Sequence, residues 1–469
     1  MPVGLLSLFL VVTILVSNVF RHVLALLLRA TSNGLKKDFA RQPTVSILLP
    51  SYNEGHTVYD TVESISRSNY PLDKLEIIAR DDCSVDDTYE WLLKAQKAFS
   101  QLSIAVQRNN ENSGKAHTVF AALERSRAEI ILSIDSDCIF DPNAIRELVA
   151  CFADPQIGGV GGVVGVRNVN ENVLTMGQTF VYYTCFHFLK ALESWSRTVT
   201  CISGCMFAIR RELMVKLAPE VLSRNWFGIP VNDGEDRFLT HKILLAGYGT
   251  VINTDAQCWT TVPNNLKVLF KQQIRWQRSG IRDFFLTLRT LPQHVCSIHP
   301  NALYSQLVPT LAALASVFAV LVLQAGQFPY AIAPAVLIFY ALLSLVFHIF
   351  TRKFNPEQKV RNPFALLALS AWIVAGRLIE ILALFTLDSR DWGTRTKRNM
   401  PTAPKAETKK KPQSSPVLVS LPRPAYLVTS ARHVLSFVQG RFVPAAELIK
   451  LLNGSSPHAR FKQVHPPVV

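Results

Sequence analysis

The sequence has no C-x-x-C pair and no cysteine or histidine cluster at metal-ligand spacing. Its eight cysteines are Cys83, Cys138, Cys151, Cys185, Cys201, Cys205, Cys258 and Cys296. That absence argues against a zinc module or a disulfide scaffold and implies reduced, mostly buried thiols of the cytoplasmic compartment. No internal repeat is visible. No basic segment precedes the N-terminal apolar run and no small-x-small cleavage site follows it cleanly, so a retained anchor is favoured over a cleaved signal peptide. Acidic residues are also scarce: 34 Asp and Glu face 49 Lys and Arg, a formal charge of +15. The imbalance is local. From Lys397 onward twelve Lys and Arg stand against two Glu. This Pro-, Lys- and Ser-rich tail, residues 397–469, is expected to be largely disordered. No nucleic-acid module or interleaved aromatics accompany it, so an anionic lipid surface is the expected partner and no nucleic acid is expected.

What the chain has in abundance is apolar residues, 49% of the total with a mean hydropathy of +0.20. They gather at the two ends. One run covers Val3–Leu28, and three more cover Leu303–Leu323, Phe328–Phe350 and Phe364–Leu387. Each is near the ~20 apolar residues that cross a hydrocarbon core. Residues 1–30 are therefore expected to be a transmembrane anchor and residues 301–390 a set of membrane helices. Arg377 and Glu380 lie on one face of the last run, as a functional pair or as an ion pair between helices. Residues 276–300 include the amphipathic stretch Ile281–Leu291, expected at the membrane surface. Lys36, Lys37 and Arg41 follow the first run, so the positive-inside rule places residues 43–275 in the cytoplasm. The plasma membrane is the expected location.

That central region alternates short aliphatic runs with helical spacing. Strands are expected over residues 44–50, 75–80, 103–107 and 130–134, and helices over 57–66, from Asp86-Asp87 to Ala98, and over 116–127. The alternation implies an α/β fold with a doubly wound, mostly parallel sheet, in which ligands bind beyond the strand C-termini. Asn53, Glu54, Asp81, Asp82, Asp135 and Asp137 all fall at such ends. Asp86 and Asp87 serve equally well as helix caps. D-x-D occurs by chance in surface loops, but Asp135-Ser-Asp137 directly follows an apolar strand. Paired carboxylates with substrate phosphates are what Mg²⁺ or Mn²⁺ takes. Lys115 follows a flexible turn at a helix start, where a diphosphate is well received, although a solvated lysine is equally ordinary there.

Six motifs then stand in order: Asp81-Asp82, Asn112-Ser-Gly-Lys115, Asp135-Ser-Asp137, Ser203-Gly-Cys205, Gly234-Glu-Asp-Arg237 and Gln272-Gln-Ile-Arg-Trp276. The set resembles the processive family-2 glycosyltransferases, the group of hyaluronan, chitin-oligosaccharide, poly-N-acetylglucosamine and cellulose synthases. The resemblance covers roughly residues 43–290, and Trp392-Gly-Thr-Arg395 extends it. It implies a GT-A type nucleotide-sugar domain between transmembrane helices, dependent on Mn²⁺ or Mg²⁺. Asp81 and Asp82 would contact the uridine with help from Asp135, and Asp137 would ligate the metal. Asp236, flanked by Glu235 and Arg237, would take the proton from the acceptor hydroxyl. Ser203, Gly204, Cys205, Gln272 and Trp276 would hold the acceptor, and Arg275 would hold a donor phosphate. Trp392 and Arg395 would cover the donor pocket from a cytoplasmic loop. Three spans after a cytoplasmic domain would leave that loop outside, so one segment must be interfacial or one span more must exist.

The sequences around Gly234 and Lys271 resemble the amino-sugar synthases more than cellulose synthase. Cys205-Met206 departs from the proline that hyaluronan synthases commonly carry there. UDP-GlcNAc is thus the favoured donor, with UDP-GlcA as a second, and the acceptor is a growing β-linked polysaccharide in the bilayer. The alternative is a non-processive transfer of one sugar to a lipid carrier.

Overall fold

The computed structural model describes residues 35–292 and 379–389, together with positions 303, 305, 307, 311, 342, 360 and 376. The expected anchor, most of the three late apolar runs, Arg377, the basic tail, Trp392 and Arg395 lie outside the described residues. Among the described residues no helix is long and apolar enough to cross a membrane.

Ten strands and nine α-helices follow in chain order over residues 45–289. They are β1 (Val45–Ser51), α1 (Thr57–Ser66), β2 (Leu75–Asp81), α2 (Thr88–Ala98), β3 (Ser103–Arg108), α3 (Lys115–Leu123), β4 (Ile130–Ile134), β5 (Ile139–Phe140), α4 (Ala144–Ala150), β6 (Ile157–Val166), α5 (Val173–Thr184), α6 (Lys190–Trp195), β7 (Met206–Arg210), α7 (Arg211–Leu222), β8 (Asn225–Trp226), β9 (Ile229–Pro230), α8 (Glu235–Leu245), β10 (Gly249–Thr260) and α9 (Leu266–Arg289). The first four strands fall where the aliphatic runs place them. The Val, Ile and Leu of β1, β2 and β4 are buried on both faces because helices cover the sheet, whereas Ile104 and Val106 of the edge strand β3 are only partly buried.

The main sheet has eight strands in the order β3-β2-β1-β4-β7-β6-β10-β5. Parallel pairing joins β3, β2, β1 and β4, and also β6 with β10. β7 runs antiparallel between β4 and β6, and β5 antiparallel against β10. Six strands therefore share one direction, and the strand order reverses between β1 and β4. An open sheet binds ligands at that switch point, beyond the strand ends. The antiparallel β7 has a simple cause: Ser203-Gly204-Cys205 turns the chain and feeds β7 back along β4.

Fully buried β6 reads Ile-Gly-Gly-Val-Gly-Gly-Val-Val-Gly-Val, an unusual strand composition. Here the glycines admit neighbours. A Cβ on Gly162 would lie 1.9 Å from Met206 Cε and 2.6 Å from the Ala256 carbonyl oxygen. α9 is a single 24-residue helix that continues unbroken across the 275/276 boundary placed on the sequence. Asn265 caps its start, its side-chain oxygen accepting from Val268 N–H at 3.0 Å. Near its end Ile281 packs with Ala383 and Leu387, while the Arg282 guanidinium donates to the Leu387 carbonyl at 2.8 and 3.1 Å. α9 thus ties the sheet domain to residues 379–389, the end of the last apolar run.

Candidate active site

The switch point collects the acidic residues. Asp81 ends β2 and is wholly buried. Its carboxylate accepts from Ser84 N–H and hydroxyl and pairs with Arg108 at 3.0 Å. Burial pushes its pKa up, against the pull of Ser84 and Arg108. Asp82 Oδ1 accepts from Asn109 Nδ2 at 2.8 Å, Ser113 N–H at 2.9 Å and Ser113 Oγ at 3.1 Å. Its Oδ2 accepts from Gly114 N–H at 2.9 Å. Asp82 therefore shapes the turn that launches α3, and Gly114, at φ 87°, supplies the left-handed residue of that turn.

Lys115, the first residue of α3, points into the carboxylates. Its Nζ lies 2.5 Å from Asp135 Oδ1 and 3.3 Å from Glu235 Oε1. Burial opposes the ammonium charge, but Asp135, Glu235 and Asp236 outweigh it and raise its pKa. Asp135 is held below the ordinary carboxylate range: burial works against its charge, and Lys115, the Cys205 thiol and Arg275 overcome that. Asp137 shifts the other way, raised by burial and by the adjacent Asp135 charge. Its Oδ2 accepts from Thr260 Oγ1 at 2.9 Å, and the Cys138 thiol approaches Oδ1 at 3.6 Å. The D-x-D pair is therefore divided, with Asp135 engaged by Lys115 and Asp137 bonded only to neutral donors. Among the described residues no group of three or more His, Cys, Asp or Glu could hold a metal by itself. A single carboxylate such as Asp137 fits the other mode, in which phosphates and water complete the shell of a hard cation.

The opposite wall is α8. Gly234 precedes it at φ 72°, and a Cβ there would fall 2.0 Å from Ser279 Oγ of α9. Only glycine lets the helix start against α9 in this way. Asp236 Oδ2 accepts from Gly204 N–H at 3.0 Å, and Oδ1 accepts from Arg237 N–H at 2.8 Å. A Cβ on Gly204 would meet Lys115 Nζ at 2.7 Å, so Lys115, Gly204 and Asp236 converge. Arg237 follows Asp236 in the first turn of α8. Burial opposes its charge, and Cys201, Asp283, Asp236 and Glu193 restore it.

On α9, Gln272 Oε1 is buried with no hydrogen-bond partner, and Trp276 is half exposed, its ring 6.3 Å from that of Tyr182. Tyr182 is a site residue that no sequence pattern singles out, because an aromatic in an apolar helix reads as core. Burial raises its pKa, as do the nearby Cys205 and Asp137. Chemically, the crevice offers one weakly engaged carboxylate, a second carboxylate on a helix start, a buried cation paired with Asp135 and Glu235, and an aromatic pair.

Fold and site together define the class: an α/β domain with a GT-A-like fold and an acidic crevice at its switch point. The fold is shared with a solved mannosyltransferase from Pyrobaculum calidifontis in complex with GDP-Man and Mn²⁺, with a TM-score of 0.56 and 21% identity over 79% of this chain and 98% of that one. Residues 43–279 match the family described as glycosyltransferase like family 2, and the chain belongs to that family. It is a hexosyltransferase-type enzyme. A hyaluronan synthase from Streptococcus pyogenes is 28% identical over 364 residues, 75% of this chain and 83% of that protein. An N-acetylglucosaminyltransferase from Bradyrhizobium diazoefficiens is 28% identical over 400 residues, 83% of this chain and 80% of that protein.

Proposed function

We propose that the enzyme is a processive, inverting glycosyltransferase that extends a β-linked polysaccharide from UDP-sugars and passes it through the membrane. UDP-GlcNAc is the preferred donor, in keeping with the names of the relatives, and UDP-GlcA is the candidate second donor. The observation that carries this reading is Asp236, a carboxylate at a helix start held beside Lys115 and Gly204 in the same crevice as Asp135 and Asp137.

Asp236 accepts the acceptor hydroxyl's proton as that oxygen bonds to the anomeric carbon and the bond from that carbon to the UDP oxygen breaks. Direct displacement on an α-linked donor inverts the centre, so no second carboxylate nucleophile is required. Glu235 and Asp135 hold Lys115 between the donor and acceptor sides. Asp137 would hold a Mn²⁺ or Mg²⁺ ion, which supplies neutralisation of the charge that builds on the leaving UDP. Asp81 and Asp82 shape the uridine end, and Arg275 faces the diphosphate. Ser203, Gly204, Cys205, Gln272 and Trp276 line the acceptor end, where an indole face suits the apolar face of a sugar. Trp392 and Arg395, which lie outside the described residues, would cover the donor pocket. Residues 276–300 lie at the interface of the plasma membrane, with the anchor and the late apolar runs spanning it and the sheet domain in the cytoplasm.

Incubating the full-length protein with Mn²⁺ and UDP-GlcNAc, with and without UDP-GlcA, tests the reading. Polymer from UDP-GlcNAc alone indicates a chitin-like product, and a requirement for both donors indicates hyaluronan. Transfer of one sugar to lipid and no further would sink processivity, and activity with UDP-glucose alone would sink the amino-sugar preference.

A further inference from the structure

The loop 199–205 carries Ser203, Gly204 and Cys205 but has no regular secondary structure, and Asp236 comes about thirty residues later on α8. Something must hold the two at hydrogen-bond distance. The first half of the loop is tied elsewhere. Val199 N–H donates to the Thr250 carbonyl at 3.2 Å, Thr250 Oγ1 donates to the Val199 carbonyl at 2.7 Å, and Thr200 N–H donates to Glu193 at 3.1 Å. The second half meets α8 at two points. Gly204 N–H donates to Asp236 Oδ2, and Ile202 N–H donates to Thr240 Oγ1 at 3.1 Å. The same Thr240 hydroxyl donates to the Asp236 carbonyl at 2.7 Å. Thr240 is wholly buried, so no water competes for either bond. Back-bonding of a helical threonine to the carbonyl four residues earlier is common and explains nothing by itself. Acceptance of a loop amide by that same hydroxyl is a separate bond, and it closes a ring through Ile202, Gly204, Asp236 and Thr240.

We propose that Thr240 is a positioning residue for sugar transfer, its hydroxyl locking the 202–204 loop to α8 so that Gly204 N–H holds the Asp236 carboxylate in a fixed orientation. Thr240 touches no substrate. Its hydroxyl uses its single donor on the helix and one acceptor lone pair on the loop, so a methyl in its place leaves a buried Ile202 N–H unpaired. The loop then relaxes, and the carboxylate loses the donor that aims Oδ2. Misplacement of a reacting group by about an ångström costs on the order of a hundredfold in rate without weakening ground-state binding. The inference rests on Asp236 as the base.

The test uses the full-length chain in lipid nanodiscs with UDP-GlcNAc and Mn²⁺, following UDP release, for Thr240→Val, Thr240→Ala and Thr240→Ser beside Asp236→Asn. Thr240→Val is expected to lower kcat roughly 10–100-fold with KM for UDP-GlcNAc unchanged. The Ser and Ala variants lack the same methyl and differ only in the hydroxyl, so Ser is expected to retain most of the rate and Ala to lose it. That comparison stands even where the Val variant fails to fold. Equal kcat for Ser and Ala, or a rise in KM alone, overturns the proposal. Inactive Asp236→Asn beside fully active Thr240 variants overturns the positioning role alone, whereas active Asp236→Asn removes the base reading and this inference with it. Hydrogen exchange adds a readout that needs no donor sugar: peptides over 199–205 should exchange faster in Thr240→Ala than in Thr240→Ser. Equal exchange there overturns the lock.

Discussion

Asp236 receives two backbone N–H groups, from Gly204 and Arg237, and shares Lys115 with Glu235 and Asp135. These contacts survive replacement by asparagine in part, because one side-chain oxygen still accepts. Asp236→Asn should therefore fold normally and lose transfer by about 10²–10⁴-fold, the usual contribution of a general base. UDP release from UDP-GlcNAc measures it, and a rate within a few-fold of wild type would remove Asp236 from its role. Lys115 combines a helix-start position suited to a diphosphate with contacts to two carboxylates. Its ammonium is shared between Asp135 and Glu235, so it links the two walls as well as facing the proposed donor site. Lys115→Ala should thus disturb both walls of the crevice, lowering kcat and raising KM for the donor together, as initial-rate kinetics will show. Raised KM at unchanged kcat would return Lys115 to donor binding alone.

Two elements carry their own tests. β6 passes so close to Met206 and to the Ala256 carbonyl that Gly162 has no room for a methyl. Gly162→Ala should cost about 1–3 kcal/mol by overpacking, measured as a loss of thermal stability; an unchanged melting temperature would show that Met206 yields freely. α9 holds Asp283, buried beneath α8 near His241, with Nδ1 to Oδ1 at 3.7 Å. Burial pushes Asp283 up to about 7, with Asp236 adding to the shift and Arg237 opposing it. Its pKa in the folded chain lies above the 3.8 of a free aspartate, so the folded state binds the extra proton across that interval. Stability from this group is accordingly full at low pH, declines as pH rises toward 7, and is flat above. Melting curves between pH 5 and 8 should show wild type losing stability with rising pH, and Asp283→Asn should flatten that slope. An equal slope in both proteins would place the titration elsewhere.

At the scale of the molecule, the Mn²⁺ or Mg²⁺ ion proposed for Asp137 carries a prediction for the whole reaction. Chelation should abolish transfer and added Mn²⁺ should restore it; retained turnover in excess chelator would contradict a metal on Asp137. The long apolar runs at 3–28 and 303–387 predict that alkaline carbonate leaves the protein in the membrane pellet and only detergent extracts it. Release by carbonate would reduce those runs to peripheral contacts.

Much of this was legible from residues alone. Buried aliphatic runs marked β1, β2 and β4 because both faces of a central parallel strand must be apolar, and the polar residues at their ends marked the crevice. Local composition determined that much, since strand burial and strand termini leave a pattern within a few residues. The antiparallel β7, the glycines of β6, the pairing of Lys115 with Asp135 and Glu235, and the aromatic partner Tyr182 left no such trace. Each depends on which distant segment arrives beside it, and only the packing of the sheet decided that.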